Sequence, residues 1–430
     1  MKNKSLLYLN GLIVIVFLAA IAHLLYCNYL DLGSTDPEAW DSYYWYGISD
    51  YLINYQGGFV RRGFIGEVLY QIFNVHGYPV NMAIVALDFT SFVLFMALWT
   101  YAFKKRQWSL LPLLFPYVCA HINLLGFRRD FLMMVILFIV YDLFFRYLSS
   151  RKWYYIFSSI AVLCLCLLIY EPCMFLTIPV MGLSLLLKNS EGTSLKSGFY
   201  KTIPVLIAPV VLVVVLLFSK GSPDAADRIW ASWQPLFATY SNVPITEMGT
   251  GVSFLKFTLP EFINHNFSFL VLIDKTPVGM IVVNLILMLI SFPMVWYLVA
   301  RVPVVNYKKM CIDKNPDSVL LGSVFIVQFI SMLPMFGFLS CDIGRTLPYC
   351  MYTTFIIVYL SRKHNVQISM TKYIDGFSGR LNSCIDSSKW LGSYFIYLLV
   401  IFLTPLNAWC APHLEDNIIT YFVTLIQSLW

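Results

Sequence analysis

The chain has 430 residues, 59% of them hydrophobic and only 12% charged, with a mean hydropathy of +0.72 and a formal net charge of +6. A water-soluble domain carries about 25% charged residues and could not hide this much apolar surface, so lipid is the expected solvent. The basic excess holds no Lys/Arg run able to follow a nucleic-acid backbone, which excludes nucleic acid as a partner.

The pattern predicts an all-α fold: a single integral membrane domain over 1–430, a polytopic bundle of about eleven transmembrane helices. After Met1-Lys2-Asn3-Lys4 an apolar run continues to about Tyr26. It is too long for a signal-peptide core and lacks a small-residue cleavage site, so an uncleaved first span is expected. Further spans are predicted at about 80–102, 108–126, 130–148, 154–170, 172–188, 202–219, 278–300, 319–339, 346–361 and 390–409. Between Trp153 and Leu187 the apolar run is too long for one span. Tyr170-Glu171-Pro172 breaks it, because proline removes a helix donor and clashes with the preceding turn. Two connections are too long to be turns, about 27–79 and about 220–277, and short helices lying on the membrane surface are expected in both. The segment 417–430 is expected as an interfacial helix anchored by Trp430.

Basic residues set the sidedness. With the N-terminus in the cytoplasm, 20 of the 29 Lys and Arg residues fall on cytoplasmic segments and 9 outside, as the positive-inside rule requires. Both long connections are then extracytoplasmic. Ten cysteines are scattered without metal-ligand spacing, and Cys341 and Cys350 are near enough in sequence to be watched for a disulfide. No metal site is predicted, and a metal requirement is left open.

Against that background, five arginines stand out because they fall at the non-cytoplasmic ends of spans. Gly57-Gly58-Phe59-Val60-Arg61-Arg62-Gly63-Phe64-Ile65-Gly66 places two guanidiniums among glycines that permit close backbone approach. Arg128 and Arg129 occupy the short turn Gly126-Phe127-Arg128-Arg129-Asp130, with His121 about one and a half helical turns before its start. Arg345 follows Asp342 in a third outer turn. Guanidinium forks match phosphate oxygens two at a time, so a shared anion site is expected, large enough for two phosphates. Lipid-headgroup contacts and local Arg–Asp pairs are the blander reading of each turn taken alone. Asp36, Asp41, Asp50 and Glu171 are candidates for a general base that deprotonates an attacking hydroxyl. Trp40, Tyr43, Tyr44, Trp45 and Tyr51 lie among these acids and suit either stacking on sugar rings or an interfacial belt. Asp88 and Asp142 fall inside spans and are read as internal partners of polar groups. Walker, HExxH, GxSxG and GxGxxG motifs are missing. An activated lipid-linked donor therefore fits better than ATP.

This arrangement resembles the multispan glycosyltransferases of the GT-C type, and among them the O-antigen and related surface-polysaccharide polymerases. The resemblance rests on the span number, the acid-bearing first outer segment (Asp36, Asp41, Asp50) and the outward arginines of Gly58-Phe-Val-Arg-Arg-Gly63 and Asp342-Ile-Gly-Arg345. It implies a bacterial inner-membrane enzyme that joins polyprenyl-(pyro)phosphate-linked sugar units, with a lipid-linked donor and acceptor and a chain-length regulator as partners. On that resemblance Arg61, Arg62, Arg128, Arg129 and Arg345 would bind the departing (pyro)phosphate, with Asp342, His121, Gly58 and Gly63 in support. Asp41 or Glu171 would activate the acceptor, and no cofactor is implied. Transfer of a single sugar from a polyprenyl monophosphate, and transport of a lipid-linked glycan, are the alternatives.

Overall fold

The structure is a computed structural model. It describes residues 5, 7–15, 18, 42–76, 80–114, 129–192, 194–240, 247–258, 260–261, 291–306, 308–309, 311–335, 343–388 and 390–404. Helices dominate, as expected: α1 (Ser42–Tyr51), α2 (Gly63–His76), α3 (Val80–Arg106), α4 (Asp130–Ser150), α5 (Trp153–Ile169), α6 (Cys173–Ser190), α7 (Leu195–Phe218), α8 (Pro223–Tyr240), α9 (Ser291–Ala300), α10 (Ser318–Met332), α11 (Ile343–Lys363), α12 (Lys372–Ser387) and α13 (Tyr394–Leu403). A two-stranded antiparallel hairpin, β1 (Val304–Asn306) with β2 (Cys311–Asp313), joins α9 to α10.

Five helices among the described residues are long and apolar enough to cross a membrane: α3, α4, α6, α7 and α10 with the 3-10 turn that follows it. Along α7 the side chains of Ile207, Val211, Val214 and Phe218 are exposed. An apolar stripe of that length is costly in water and ordinary in hydrocarbon. The predicted break at 170–172 is present. α5 ends at Ile169, Tyr170 is extended, and α6 starts after Pro172. The expected spans at 6–26, 108–126, 278–300, 319–339 and 390–409, like the interfacial helix at 417–430, extend beyond the described residues.

Helix lengths set the vertical scale. At 1.5 Å per residue α3 runs about 40 Å and α4 about 30 Å, comparable to a bilayer's hydrocarbon core. Arg106 at the end of α3 pairs with Asp317 before α10, and Arg362 at the end of α11 reaches the same carboxylate at 2.9 Å. Asp142 on α4 receives Arg146, Lys363 and His364 at 2.7–2.9 Å, as an internal partner of polar groups should. These contacts gather segments rich in Lys and Arg at one end of the bundle. Residues 50, 62, 129 and 171 meet at the other.

At that second end the described parts of the two long connections, within 42–76 and 220–258, do more than lie on a surface. They pack against each other around a second apolar core that contains Ile48, Tyr51, Leu52, Val60, Ala226, Ile229, Trp233 and Phe237 and that continues into Val80 and Ile84 of α3. Polar ties fix the register. Trp233 Nε1 donates to Leu52 O at 2.8 Å, Asn54 Nδ2 to Ser232 Oγ at 2.9 Å and Gly251 N to Ser49 Oγ at 2.8 Å. Two glycines are there for space. A Cβ on Gly57 would stand 2.3 Å from Ala225 O, and one on Gly66 would stand 1.9 Å from Ile53 O. Gly66→Ala is therefore expected to force backbone apart and cost about 1–3 kcal/mol. A thermal melt of the detergent-purified variant that matches wild type would contradict this packing.

Candidate anion site

The loop from Ile53 to Arg62 brings the arginine pair to the turn between α5 and α6. Its course is held at several points: Glu67 on α2 accepts from Tyr55 N at 2.9 Å, and Arg61 N donates to Ser219 O at 2.7 Å. Arg62 adopts φ +63°, a left-handed conformation uncommon for a residue with a side chain. Interactions made by its guanidinium and its carbonyl offset that local cost.

Arg62 Nε donates to Glu171 Oε2 at 2.8 Å, and its Nη2 donates to Oε1 at 2.8 Å, a fork-on-carboxylate geometry. Arg61 Nη1 approaches the same Oε1 at 3.2 Å. Arg62 Nη1 also lies 3.5 Å from Asp50 Oδ1, while Arg129 Nε lies 3.2 Å from Asp50 Oδ2. Three guanidiniums thus share two carboxylates, with Arg62 between them. The Tyr170 ring lies under the Arg62 guanidinium and the Tyr51 ring under that of Arg129, at 5.0 and 5.2 Å, distances at which the ring face attracts a cation.

The arginines differ in what they present. Side chains of Arg61, Arg62 and Glu171 are 18%, 19% and 16% exposed, whereas that of Arg129 is 0% exposed. Arg129 Nη1 donates to Arg62 O at 2.6 Å and to Ile169 O at 2.9 Å, and its Nη2 donates to Asp50 O. It ties the end of α1, the arginine loop and the last turn of α5 to the start of α4. Its donors face inward to these carbonyls, so Arg61 and Arg62 form the accessible mouth.

Electrostatics follow from this packing. Burial opposes ionisation of Glu171, but the guanidiniums of Arg62 and then Arg61 outweigh it and hold the carboxyl at about 2. Burial likewise disfavours the charge on Arg62, yet Glu171 and Asp50 keep its pKa well above the usual arginine value. Lys220, next to the Ser219 carbonyl that anchors Arg61, is buried and donates to Thr258 O at 2.6 Å. Burial and then Arg61 push its pKa down to about 8. Burial is the larger cause, and the smaller Arg61 contribution reports a positive local potential in which an added anion would be stabilised.

Of the residues singled out from sequence, Asp50, Arg61, Arg62, Arg129 and Glu171 come together. Gly63 sits against the Tyr55 ring and Gly58 takes φ +110° with open space around it. Asp36, Trp40, Asp41, His121, Arg128, Cys341 and Asp342 lie outside the described residues, as do the side chains of Tyr43, Tyr44, Trp45 and Arg345. Cys350 is a free thiol. Sequence reasoning missed Lys220 and the Tyr51 and Tyr170 ring contacts. Lys220 directly follows the span ending near residue 219, and a cation in that position was a usable signal. Among the described residues, no group of three or more His, Cys, Asp or Glu side chains converges as metal ligands.

Compared with known proteins, the chain matches no family model, no curated protein and no solved structure. The functional reading rests on the geometry of the site.

Proposed function

We propose that the chain is a membrane glycosyltransferase that joins polyprenyl-(pyro)phosphate-linked sugar units at the extracytoplasmic face of a bacterial inner membrane, in surface-polysaccharide synthesis. One observation carries the reading: two partly exposed guanidiniums converge, at the end of the bundle away from its basic segments, on a single carboxylate, with the buried Lys220 in the field of Arg61. Glu171 holds the place an anionic group would take. A diphosphate offers more oxygens than one carboxylate, so it can displace Glu171 from Arg61 and Arg62 and engage Lys220 as well. The positive-inside rule puts this end outside and the N-terminus in the cytoplasm.

In the reaction an acceptor hydroxyl attacks the anomeric carbon, the bond from that carbon to the phosphate oxygen breaks, and the electron pair leaves with the phosphate. Arg61 and Arg62 stabilise the charge that develops there. While two guanidiniums hold it, Glu171 is a weak base. Once displaced, it regains ordinary carboxylate basicity and can take the hydroxyl proton, a role that Asp36 and Asp41 compete for. Arg129 positions Arg62 rather than touching substrate.

In cells that depend on this chain for long surface polysaccharide, Arg61→Ala is expected to leave its abundance intact. Polymer output should fall about a hundredfold or more, the usual cost of losing one such charge-stabilising donor. Wild-type chain length in that variant would remove the case. Products that grow by one sugar residue would point to a single-sugar transferase. Translocated glycan of unchanged mass would point to a transporter.

A further inference from the structure

A second built site lies at the opposite end of the bundle, where a cavity of about 350 Å³ opens between the ends of α9 and α13, the hairpin, α12 and the start of α10. Arg301, Lys314, Asn315, Ser318, Asp386 and Tyr394 are among its lining residues. Arg301 Nη2 and Lys314 Nζ both reach Asp386 Oδ1, at 2.6 and 2.8 Å. The Arg301 side chain is only 8% exposed. Ser318 opens α10, so the positive end of a fifteen-residue helix faces the cavity wall.

Asn315 supplies the independent sign of a ligand. It is 5% exposed, its Oδ1 accepts from Asp317 N at 2.9 Å, and among the described residues its Nδ2 has no hydrogen-bond partner. A buried amide donor left unmade costs about 1–3 kcal/mol, and because Asn315 lines the cavity a small rotation of its side chain would let an acceptor there satisfy it. Two cations, a helix N-terminus and an unfilled amide donor suit a phosphate group. Asp386 and Asp313, the second acid on the wall, suit an ammonium or hydroxyls carried beside it.

The surroundings identify the source. On α12 the polar residues Ser378 and Asn382 are buried while Tyr373 and Phe377 are exposed, and Trp390 and Phe395 next to the cavity are exposed as well. The same helix packs Ile374, Leu381 and Ile385 on the main core and exposes Lys372 and Arg380 beside those aromatics, and an outer face of mixed aromatic and basic residues fits the lipid headgroup level. We infer that this cavity binds the phosphate-bearing headgroup of a membrane phospholipid, with the phosphate at Arg301, Lys314 and Asn315.

The test is native mass spectrometry of the detergent-purified full chain. It is titrated with phosphatidylethanolamine and, separately, with the soluble headgroup glycerophosphoethanolamine. One retained phospholipid per chain is expected, with affinity at least tenfold lower in Lys314→Ala, an exposed position safe for folding, and lower still in Arg301→Gln. Asn315→Ala should weaken retention by a smaller factor. Retention that neither cation variant changes, or no retained lipid, would overturn the proposal. Binding of the soluble headgroup as tight as that of the lipid would overturn the membrane as its source.

Discussion

Arg129→Ala is expected to remove folded protein rather than to slow turnover. The guanidinium is fully buried and ends on three carbonyl oxygens and the Asp50 carboxylate. Deleting it leaves Asp50 with one of its two arginines, and it leaves carbonyls at the ends of α1 and α5 without that donor. Breaking a buried pair from one side costs about 3–5 kcal/mol, a large part of the 5–15 kcal/mol that typically holds a domain together. Arg129→Lys is not expected to rescue it, because a single ammonium cannot reach the sites that a planar fork spans. Fluorescence-detected size exclusion decides the matter. A monodisperse peak of wild-type height and unchanged melting temperature for Arg129→Ala would show that the tie is dispensable.

Glu171→Gln is expected to do the opposite at the mouth of the site: weaken the resting protein and strengthen anion binding. With its pKa held at about 2 rather than the ordinary 4.5, Glu171 contributes stability that is fully present above about pH 4.5. That contribution is lost as the pH falls toward 2, since the unfolded chain takes up the proton first. Its size is on the order of 3 kcal/mol, shared with Arg61 and Arg62. Denaturant unfolding at pH 6 and pH 3 should therefore show a larger acid loss in wild type than in the Gln variant, which keeps only the loss from its other ion-paired carboxylates. Removing the resident negative charge also leaves Arg61 without the Glu171 carboxylate and Arg62 with only that of Asp50, so inorganic pyrophosphate should bind the variant at least tenfold more tightly by calorimetry. Equal affinity in the two proteins would mean that Glu171 and phosphate do not compete for the same donors.

How much of this was legible beforehand follows from what each signal depends on. The break at Tyr170-Glu171-Pro172 was legible because proline acts locally on backbone geometry. The segregation of basic ends from the arginine site was legible because charge avoids hydrocarbon at any position along the chain. The pairing of 42–76 with 223–258 was not. It depends on residues about 180 apart meeting through Trp233, Asn54 and Gly57, and neither segment carries a periodic pattern that names its partner.

Sequence by itself determined the apolar, membrane-compatible composition, the helical class and the presence of arginines and an acid in turns that join helices, since composition and local charge suffice for these. Only the tertiary structure decided which arginine faces inward and which outward. Arg62 and Arg129 are chemically identical, and the difference arises because Arg129 begins a helix packed among three carbonyls while Arg62 rests on a glycine-flanked loop against Glu171. The side-chain type sets what a guanidinium can bind, but the surrounding backbone sets what it does bind.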